Sequence, residues 1–382
     1  MRIFNSRSKI FVIAVGTLFF FFSTVPFMRA AEETSLEKVL SEIFPVSSPT
    51  GKEGAMTQKI RALLPEGYSP QRDNLGSLFL TRGEGEKHLA VVTGMDELSF
   101  IVSGITEEGY LRLDRVVPRP HSLWDAFLFG HAVKVWTQSA SLSGVVAIPS
   151  VHIASREMRR AYSQSFGLEK AYLDIGASSR EEARERGVHI LDPVTLWPDR
   201  THLAGSQEAG VSLGLKTCVA VLLQGAKSTS SQGLGQKTSF IWLAQSQFPA
   251  RGARPTASVG AVKVQKNFGA EKYFVVDVFP CEKGKEKGIS IGKGPVLIPG
   301  VKRETELSSR IERTAREEGV SLQRAKEFSS PVLNAFLKPE QEAVGLFLPV
   351  QFSATPSEVV DFKDAEALLK IVQSFVQERG RQ

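Results

Sequence analysis

The hydrophobic pattern after residue 31 alternates between two periods, and each period predicts a different kind of element. Apolar residues three or four positions apart predict amphipathic helices, whereas short apolar runs between glycine and charge predict buried strands. The predicted helices are 36–44, 54–64, 181–186, 216–225, 304–318 and 365–376. The predicted buried strands are 78–80, 89–93, 239–244, 273–278 and 343–349. Helices that alternate with buried strands indicate an α/β fold with a parallel or mixed sheet.

The stretch from residue 100 to about residue 197 breaks this alternation. Strand-like runs separated by Gly, Pro and Ser dominate it, at 110–112, 132–136, 144–148 and 193–197. We therefore predict a small β-barrel domain, residues 100–202, inserted into a discontinuous α/β domain of residues 32–99 and 203–382. One helix is expected inside the insertion, where Ser178 to Glu182 offers a Ser-x-x-Glu capping box.

Residues 1–31 have the three parts of an export signal: a basic start, an apolar stretch at 10–22, and a short region that ends in Ala30-Ala31. Met28 or Arg29 stands where cleavage prefers a small residue, so an uncleaved membrane anchor is the alternative interpretation. Both interpretations place the body of the protein outside the cytoplasm, in the periplasm or the extracellular space. Both also limit contact with a membrane to this segment.

Composition and charge exclude some classes of protein. The chain has 382 residues, of which 42% are hydrophobic and 23% charged, as in globular rather than disordered proteins. The net charge of +6 includes four positive charges in the leader, at Arg2, Arg7, Lys9 and Arg29. Removing these four charges from +6 leaves only +2 for the rest, where basic and acidic residues are interleaved. We therefore expect no nucleic-acid partner.

The most distinctive string of residues lies inside the predicted barrel. It is Leu173-Asp174-Ile175-Gly176-Ala177-Ser178-Ser179-Arg180-Glu181-Glu182-Ala183, followed by Asp192-Pro193-Val194. Supporting motifs in the α/β part are Asp73-Asn74-Leu75-Gly76, Met95-Asp96-Glu97, Val276-Asp277-Val278, Gly292-Lys293-Gly294-Pro295 and Glu358-Val359-Val360-Asp361. With these motifs, residues 35–380 resemble the tetrahedral (TET) and glutamyl aminopeptidase family of two-metal aminopeptidases. The resemblance implies a mixed-sheet, zinc-aminopeptidase-like α/β domain and a homo-oligomer formed through the inserted barrel.

The resemblance also implies a changed metal site. The family holds two metal ions with two histidines and three carboxylates, and the ions activate a bridging water. Here the two histidine positions are occupied by Gly94 and Ala354, and the bridging aspartate position by Gly214. The glutamate ligand position holds Gln247, whereas Asp277 retains its carboxylate. One of the five ligands therefore survives.

The residues that assist the metals in the family have changed in part. The general-base glutamate is replaced by Ser246, which cannot act as a carboxylate base. Asp96, which orients a metal-binding histidine in the family, is retained without that histidine. The resemblance thus implies an inactive pseudopeptidase with a scaffold or peptide-binding role, no cofactor, and a pocket widened by the small replacements. The alternative is an active metallo-aminopeptidase with a reorganised zinc or cobalt site.

Three further motifs offer weaker routes to chemistry. Asp96, Glu97 and Asp277 could hold a hard cation weakly, but we favour hydrogen-bonded relics. Residues 210–214 match the Gly-x-Ser-x-Gly elbow of serine hydrolases, yet no histidine follows His202 and the preceding residues predict a strand only weakly. Residues 288–293 have one residue too few for a phosphate loop.

The chain has only two cysteines, Cys218 and Cys281, too few for a disulfide scaffold or a cysteine-rich zinc site. The resemblance places Gly214 and Asp277, which precede these cysteines, together at the metal site. It therefore implies a Cys218–Cys281 disulfide across the vacated site, which an oxidising compartment would allow.

Overall fold

The structure is a computed structural model, and it describes most of the chain after the leader. The described residues are 35–117, 125, 128–147, 150, 152–164, 167–229, 236–253, 256–282, 288–300, 305–325 and 328–377. The predicted export signal, residues 1–31, lies outside them. Within these ranges no helix combines the length and the apolar character needed to cross a bilayer.

Seventeen strands and nine helices follow one another in the described residues. The strands are β1 (Gln71–Arg72), β2 (Leu78–Arg82), β3 (His88–Gly94), β4 (Phe100–Ile105), β5 (Leu111–Arg115), β6 (Ala132–Trp136), β7 (Ser141–Ala147), β8 (Tyr172–Asp174), β9 (Pro193–Leu196), β10 (Arg200–His202), β11 (Gln207–Gly210), β12 (Lys237–Leu243), β13 (Lys272–Cys281), β14 (Val296–Ile298), β15 (Gln323–Arg324), β16 (Glu342–Gln351) and β17 (Glu358–Asp361). The helices are α1 (Ser35–Ile43), α2 (Gly54–Leu63), α3 (Arg156–Gln164), α4 (Arg180–Glu185), α5 (Leu213–Ser228), α6 (Val259–Asn267), α7 (Glu306–Glu317), α8 (Pro331–Phe336) and α9 (Phe362–Gln377).

A mixed sheet of eleven strands forms the α/β part, as predicted. Its main path runs β1-β2-β12-β3-β13-β16-β17-β11-β10, and β12, β3, β13 and β16 are parallel neighbours. These central strands are near-continuous apolar runs because helices cover both faces of the sheet. The carboxyl ends of four parallel strands therefore meet at one edge, where ligands bind in open α/β sheets.

Helix α5 is the central helix on one face of the sheet. Thirteen of its sixteen residues are buried, because it packs against the sheet on one side and against α1 and α9 on the others. Helices α6 and α8 cover the opposite face and share a second apolar core with it. The buried position of α5 fixes its amino-terminal end at the carboxyl edge of the parallel strands.

The predicted barrel is present as a closed six-stranded sheet in the order β4-β5-β8-β7-β6-β9. Its interior is a separate apolar core that includes Val102, Leu111, Val133, Val146, Leu173 and Val194. The expected helix is α4, which adds Ala183 to this core and begins after Ser179, whose hydroxyl accepts the Glu182 N–H. The expectation of one helix in the insertion is wrong, because α3 lies there as well. The last barrel strand is β9, which ends at Leu196. The next strand, β10, lies at the end of the predicted insertion 100–202 but pairs with β11 in the large sheet.

Candidate functional site

The positions that the resemblance assigns to metal ligands converge at the carboxyl edge of the sheet. Gly94 ends β3, Asp277 lies in β13, and the loops after β12 and β16 carry Ser246 and Ala354. Gly214 lies in the first turn of α5, whose amino terminus points to the same edge. The fold therefore gathers these positions, although most of their side chains carry no metal-binding atom.

The first histidine position and the general-base position directly face each other. A Cβ atom built on Gly94 would lie 2.8 Å from Ser246 Cβ, closer still to Ser246 Oγ, and 3.5 Å from Leu215 Cδ1. Real Cβ atoms do not approach other carbons so closely, because packed interiors have no free volume for it. Ser246 thus occupies the space that any side chain at position 94 would need.

We expect Gly94→Ala to lower the free energy of unfolding by about 1–3 kcal/mol, the usual cost of overpacking a filled core. Ser246→Gly removes the opposing atoms, so the double variant should regain most of that loss. Urea denaturation of the wild type, both single variants and the double variant measures the coupling. Additive effects of the two substitutions would show that the two positions are not in contact.

The bridging position is filled by apolar neighbours and by a carboxylate. A Cβ on Gly214 would lie 2.7 Å from Val350 Cγ2, 2.9 Å from Val278 Cγ1 and 3.4 Å from Glu358 Oε2. The small replacement therefore does not widen the pocket here, and the expectation of a widened pocket is wrong at both glycines. Neighbouring side chains have taken the vacated space because an empty cavity in a packed core is unfavourable.

Glu358 links two of the former ligand positions through their backbones. Its carboxylate accepts the Gly214 N–H at 3.0 Å and the Ala354 N–H at 2.8 Å. The first of these bonds satisfies an amino-terminal N–H of α5, where the N-cap residue Ser212 makes no side-chain cap. Burial raises the pKa of Glu358 to about 6, while these hydrogen bonds and the Lys216 charge oppose the rise.

Asp96 has a structural task that the sequence did not indicate. Its carboxylate accepts the Ser246 N–H at 2.6 Å, the Gln247 N–H at 3.1 Å and the Thr50 hydroxyl at 2.9 Å. Asp96 therefore holds the turn that carries Ser246 and Gln247. Complete burial raises its pKa, and hydrogen bonds from Ser246, Gln247 and Thr50 oppose that rise.

Glu97 belongs to a buried ion pair with Lys216 on α5. The Lys216 Nζ lies 3.2 Å from Glu97 Oε2, and each side chain is 4% exposed. Nζ also donates to the Phe44 carbonyl at 2.9 Å, and Glu97 Oε1 accepts the Ser48 N–H at 2.9 Å. Glu97 is thus bound to protein partners on both oxygens.

Asp277, the retained ligand, accepts a hydrogen bond from the Ser330 hydroxyl at 2.8 Å and from the Val278 N–H at 2.9 Å. Burial raises its pKa to about 6, and the charge of Asp96 adds to the rise. Asp277 is therefore engaged as a hydrogen-bond acceptor.

The side chains at this edge do not fit two metal ions. Glycine and alanine have no donor atom, and the Gln247 amide is a weak neutral ligand. In the described part of the chain, no group of three or more His, Cys, Asp or Glu side chains is arranged to hold a metal ion.

The backbone around these positions retains an uncommon conformation. Ser212, Gln245, Phe352 and Ala354 have φ between 52° and 61°, and they account for four of the five described non-glycine residues with positive φ. Each such residue costs about 1–3 kcal/mol, and such strain concentrates at functional sites. The loops at these positions thus hold a demanding backbone geometry.

The raised pKa values predict that stability falls as the pH rises. Glu53, Asp277 and Glu358 each have a folded-state pKa of about 6, above the ordinary values of 4.5, 3.8 and 4.5. The folded state therefore binds more protons than the unfolded state between about pH 4 and 6, and its stability declines as the pH rises through that window. Each such group lowers the free energy of unfolding by on the order of 2 kcal/mol as the pH rises through this window. His88, whose pKa burial lowers, opposes this trend, as do Glu108, Glu182, Glu306 and Glu318, whose pKa values hydrogen bonds lower. The raised pKa values of Asp96 and Asp364, which are due to burial, add to the trend.

Thermal unfolding between pH 4.5 and 7 checks this expectation. We expect the midpoint temperature to fall with pH, and Glu358→Gln should make the slope shallower because one raised carboxyl is removed. The side-chain amide of Glu358→Gln can accept only one of the two N–H bonds, so the variant is less stable than the wild type at every pH. The change of midpoint temperature with pH is therefore compared between the two proteins, and not the midpoint temperature itself. A midpoint temperature that rises across this range would contradict the burial of these carboxyls.

Both cysteines are buried and free, so the predicted Cys218–Cys281 disulfide is wrong. Cys218 is a residue of α5 inside the core, and the charges of Asp277 and Glu358 add to the effect of burial in raising its pKa. Cys281 ends β13, four residues beyond Asp277, where the Ile291 backbone and Asp364 are its neighbours. The separation along β13 carries it away from α5.

The serine-elbow motif has the strand-turn-helix context that the sequence did not predict. Strand β11 ends at Gly210, Ser212 has φ of 52° and ψ of 28°, and α5 begins at Leu213. A serine hydrolase would still need a base after the serine, and no histidine follows His202 in the sequence. The motif therefore serves here as the turn into α5.

The fold and the remnant of the site define a class of protein: an α/β sheet with peptidase-type ligand positions at its carboxyl edge and a six-stranded barrel inserted after β3. The sequence profile of the M42 glutamyl aminopeptidase family matches residues 76–371, and the chain belongs to that family.

Relatives and solved structures agree with this membership. Lysyl aminopeptidase of Pyrococcus furiosus is 24% identical over 314 residues, covering 80% of this chain and 86% of the relative. The TET1 peptidase of Pyrococcus horikoshii superposes with a TM-score of 0.77 at 23% identity, covering 90% of this chain and 100% of that one. The aminopeptidase APDkam598 of Desulfurococcus kamchatkensis also gives 0.77, at 17% identity, over 90% of this chain and 94% of that one. The predicted family and fold are confirmed.

Proposed function

We propose that this chain is a catalytically inactive member of the aminopeptidase family, a pseudopeptidase with a scaffold or peptide-binding role. The observation that carries the proposal is the contact between positions 94 and 246. Ser246 lies against the place where the first carbon of a side chain at position 94 would stand, and it also occupies the general-base position that the resemblance assigns. Restoring either residue alone would not rebuild the site.

The remaining carboxylates support the same proposal. Asp96, Glu97 and Glu358 accept hydrogen bonds from backbone N–H groups, Asp96 also accepts the Thr50 hydroxyl, and Glu97 pairs with Lys216. Each therefore has a structural role in this fold that needs no metal ion.

Metal analysis and a peptidase assay on one preparation test the proposal. We expect less than one tightly bound transition-metal ion per chain and no release of amino acids from peptides after incubation with zinc or cobalt. The lysyl aminopeptidase of P. furiosus, prepared and loaded in the same way, serves as the positive control. Two tightly bound ions per chain with turnover would establish the alternative, an active metallo-aminopeptidase with a reorganised site.

We also propose that the chain forms a homo-oligomer through the barrel. The P. horikoshii TET1 peptidase assembles into a tetrahedron or a large octahedral shell. Six of the nine exposed large apolar side chains in the described residues belong to the insertion: Val145, Ile153, Met158, Ile190, Leu191 and Trp197. Exposed apolar surface of this kind favours association. Light scattering coupled to size-exclusion chromatography should give a mass above the monomer's, and a monomer would contradict it.

The leader supports a location outside the cytoplasm. A basic start followed by the apolar stretch at 10–22 is typical of an export signal, and retention of the segment would anchor the protein in the membrane. Fractionation of the native cells, with amino-terminal sequencing of the recovered protein, separates secretion from anchoring. Recovery from the cytoplasm with residue 1 intact would contradict both.

A further inference from the structure

A leucine in the barrel insertion combines two unfavourable features. Besides the four residues around the carboxyl edge of the sheet, one more described non-glycine residue has a positive φ: Leu191, at 73°. A leucine avoids this left-handed region because its Cβ comes too close to the following carbonyl oxygen. The side chain of Leu191 is also 63% exposed, and that of its neighbour Ile190 is 52% exposed. In a single chain, both the strained backbone and the exposed apolar surface raise the free energy of the folded state.

Hydrogen bonds on both sides fix the backbone of Leu191. Its N–H donates to the Val102 carbonyl at 2.8 Å, and the Val102 N–H donates to the Asp192 carbonyl at 2.9 Å. The Asp192 carboxylate accepts the His189 N–H at 2.8 Å. The turn therefore presents Ile190 and Leu191, here called the ridge, to solvent in one defined conformation. A glycine at position 191 would fit the same turn without strain.

A groove of about 820 Å³, counting the solvent at its open mouth, lies beside the ridge. The ridge forms part of its lining, the segment that leads into α2 contributes Pro49 and Ala55, and β6 contributes Trp136. The formally charged residues of the lining are Lys52 and Asp192, and Asp192 is bound to the backbone of the turn. The lining is thus largely uncharged, as is the centre of a protein–protein interface.

The ridge and the groove lie side by side on one face of the chain, so a second copy carries a matching part for each of them. A two-fold axis between ridge and groove places each ridge at the groove of the partner. Both contacts then form together, as in the isologous interfaces of symmetric dimers. An unrelated partner would need its own ridge and groove at the same spacing, so the surface favours a second copy as its occupant.

We propose that Ile190 and Leu191 are the anchor residues of a two-fold interface, in which the ridge of each chain enters the groove of the other. Burial of the leucine side chain against a second chain offsets the strain of its backbone. This inference rests on the proposed homo-oligomer, which it deepens by assigning the contact residues.

Sedimentation velocity of the purified full chain, over a range of concentrations, tests the proposal with three variants. Leu191→Gly removes the anchor side chain and relieves the backbone. We expect it to raise the dissociation constant of the oligomer at least about tenfold, while its circular dichroism spectrum stays that of the wild type. Ala55→Lys places a charge beside Lys52 in the groove and should weaken association to a similar extent. It also keeps the test valid if Leu191→Gly fails to fold.

Phe352→Gly is the matched control for Leu191→Gly. Phe352 also has a positive φ, of 53°, and is 57% exposed, but it does not line the groove. Replacing it by glycine relieves the same kind of backbone strain and removes the same kind of exposed side chain. We expect its association to match that of the wild type.

An equimolar mixture of Leu191→Gly and Ala55→Lys chains tests whether the contact is reciprocal. In a mixed dimer, the intact ridge of the Ala55→Lys chain meets the intact groove of the Leu191→Gly chain, so one of the two contacts is restored. We expect the mixture to associate more tightly than either variant alone.

Three results would overturn this inference and leave the proposed homo-oligomer standing: wild-type association of Leu191→Gly, an equal loss for Phe352→Gly, or a mixture that associates no more tightly than its components. A wild-type chain that stays monomeric at every concentration would overturn both.

Discussion

Replacing Lys216 by methionine should lower the free energy of unfolding by about 3–5 kcal/mol, the typical cost of breaking a buried ion pair on one side. The pair is almost inaccessible to water, with both side chains 4% exposed. Without the ammonium group, Glu97 keeps only the Ser48 N–H as a partner for its charge, and the Phe44 carbonyl loses its donor. Urea denaturation monitored by circular dichroism measures the loss.

Two controls separate the buried charge from a general effect of removing lysine. The double variant Lys216→Met/Glu97→Gln removes both charges and should recover a large part of the stability. Lys59→Met breaks an ion pair at the surface, where Lys59 lies 2.9 Å from Glu42, and should cost less than about 1 kcal/mol. Equal losses for Lys216→Met and Lys59→Met would contradict the burial of the Lys216 pair.

Asp96→Ala should destabilise the protein by a similar amount, about 3–5 kcal/mol, because three buried donors lose their acceptor at about 1–3 kcal/mol each and relax only in part. The donors are the Ser246 N–H, the Gln247 N–H and the Thr50 hydroxyl, so the loop after β12 should also lose its position. Faster amide exchange at Ser246 and Gln247 would report that second effect directly.

Asp73→Ala is the matched control for this variant. Asp73 Oδ1 also accepts three backbone N–H groups, from Leu75, Gly76 and Ser77, but in a turn that water can reach. Water replaces the lost acceptor there, so the expected loss is about 1 kcal/mol. If Asp96→Ala were no more harmful than Asp73→Ala, the retained aspartate would be a relic without a structural task.

The fold could be predicted because the apolar residues of its helices and strands recur at regular spacings along the sequence. Central strands such as β3 and β12 are unbroken apolar runs between polar turns, and α7 carries Leu307, Ile311 and Ala315 on one face. The residue at which the barrel ends was harder to predict from the sequence. Strand β10 is three residues long and largely exposed, so its pairing with β11 is set by the large sheet and not by its own sequence.

The site could be predicted only as a set of positions. The motifs located Gly94, Gly214 and Ala354, but not what would replace the lost ligands. That answer depends on contacts across long stretches of sequence, such as Glu358 with Gly214, 144 residues apart. The sequence did hold one signal: an acidic residue at 358 and a lysine at 216 are unusual in a core unless internal partners satisfy them.

Under the proposed loss of catalysis, the contact between Gly94 and Ser246 couples two substitutions that a return to activity would need. The first carbon of any side chain at position 94 would meet Ser246, so a residue larger than glycine requires Ser246 to move. A glutamate at 246 alone would place a second carboxylate beside buried Asp96. Neither substitution by itself would rebuild the site that the resemblance implies.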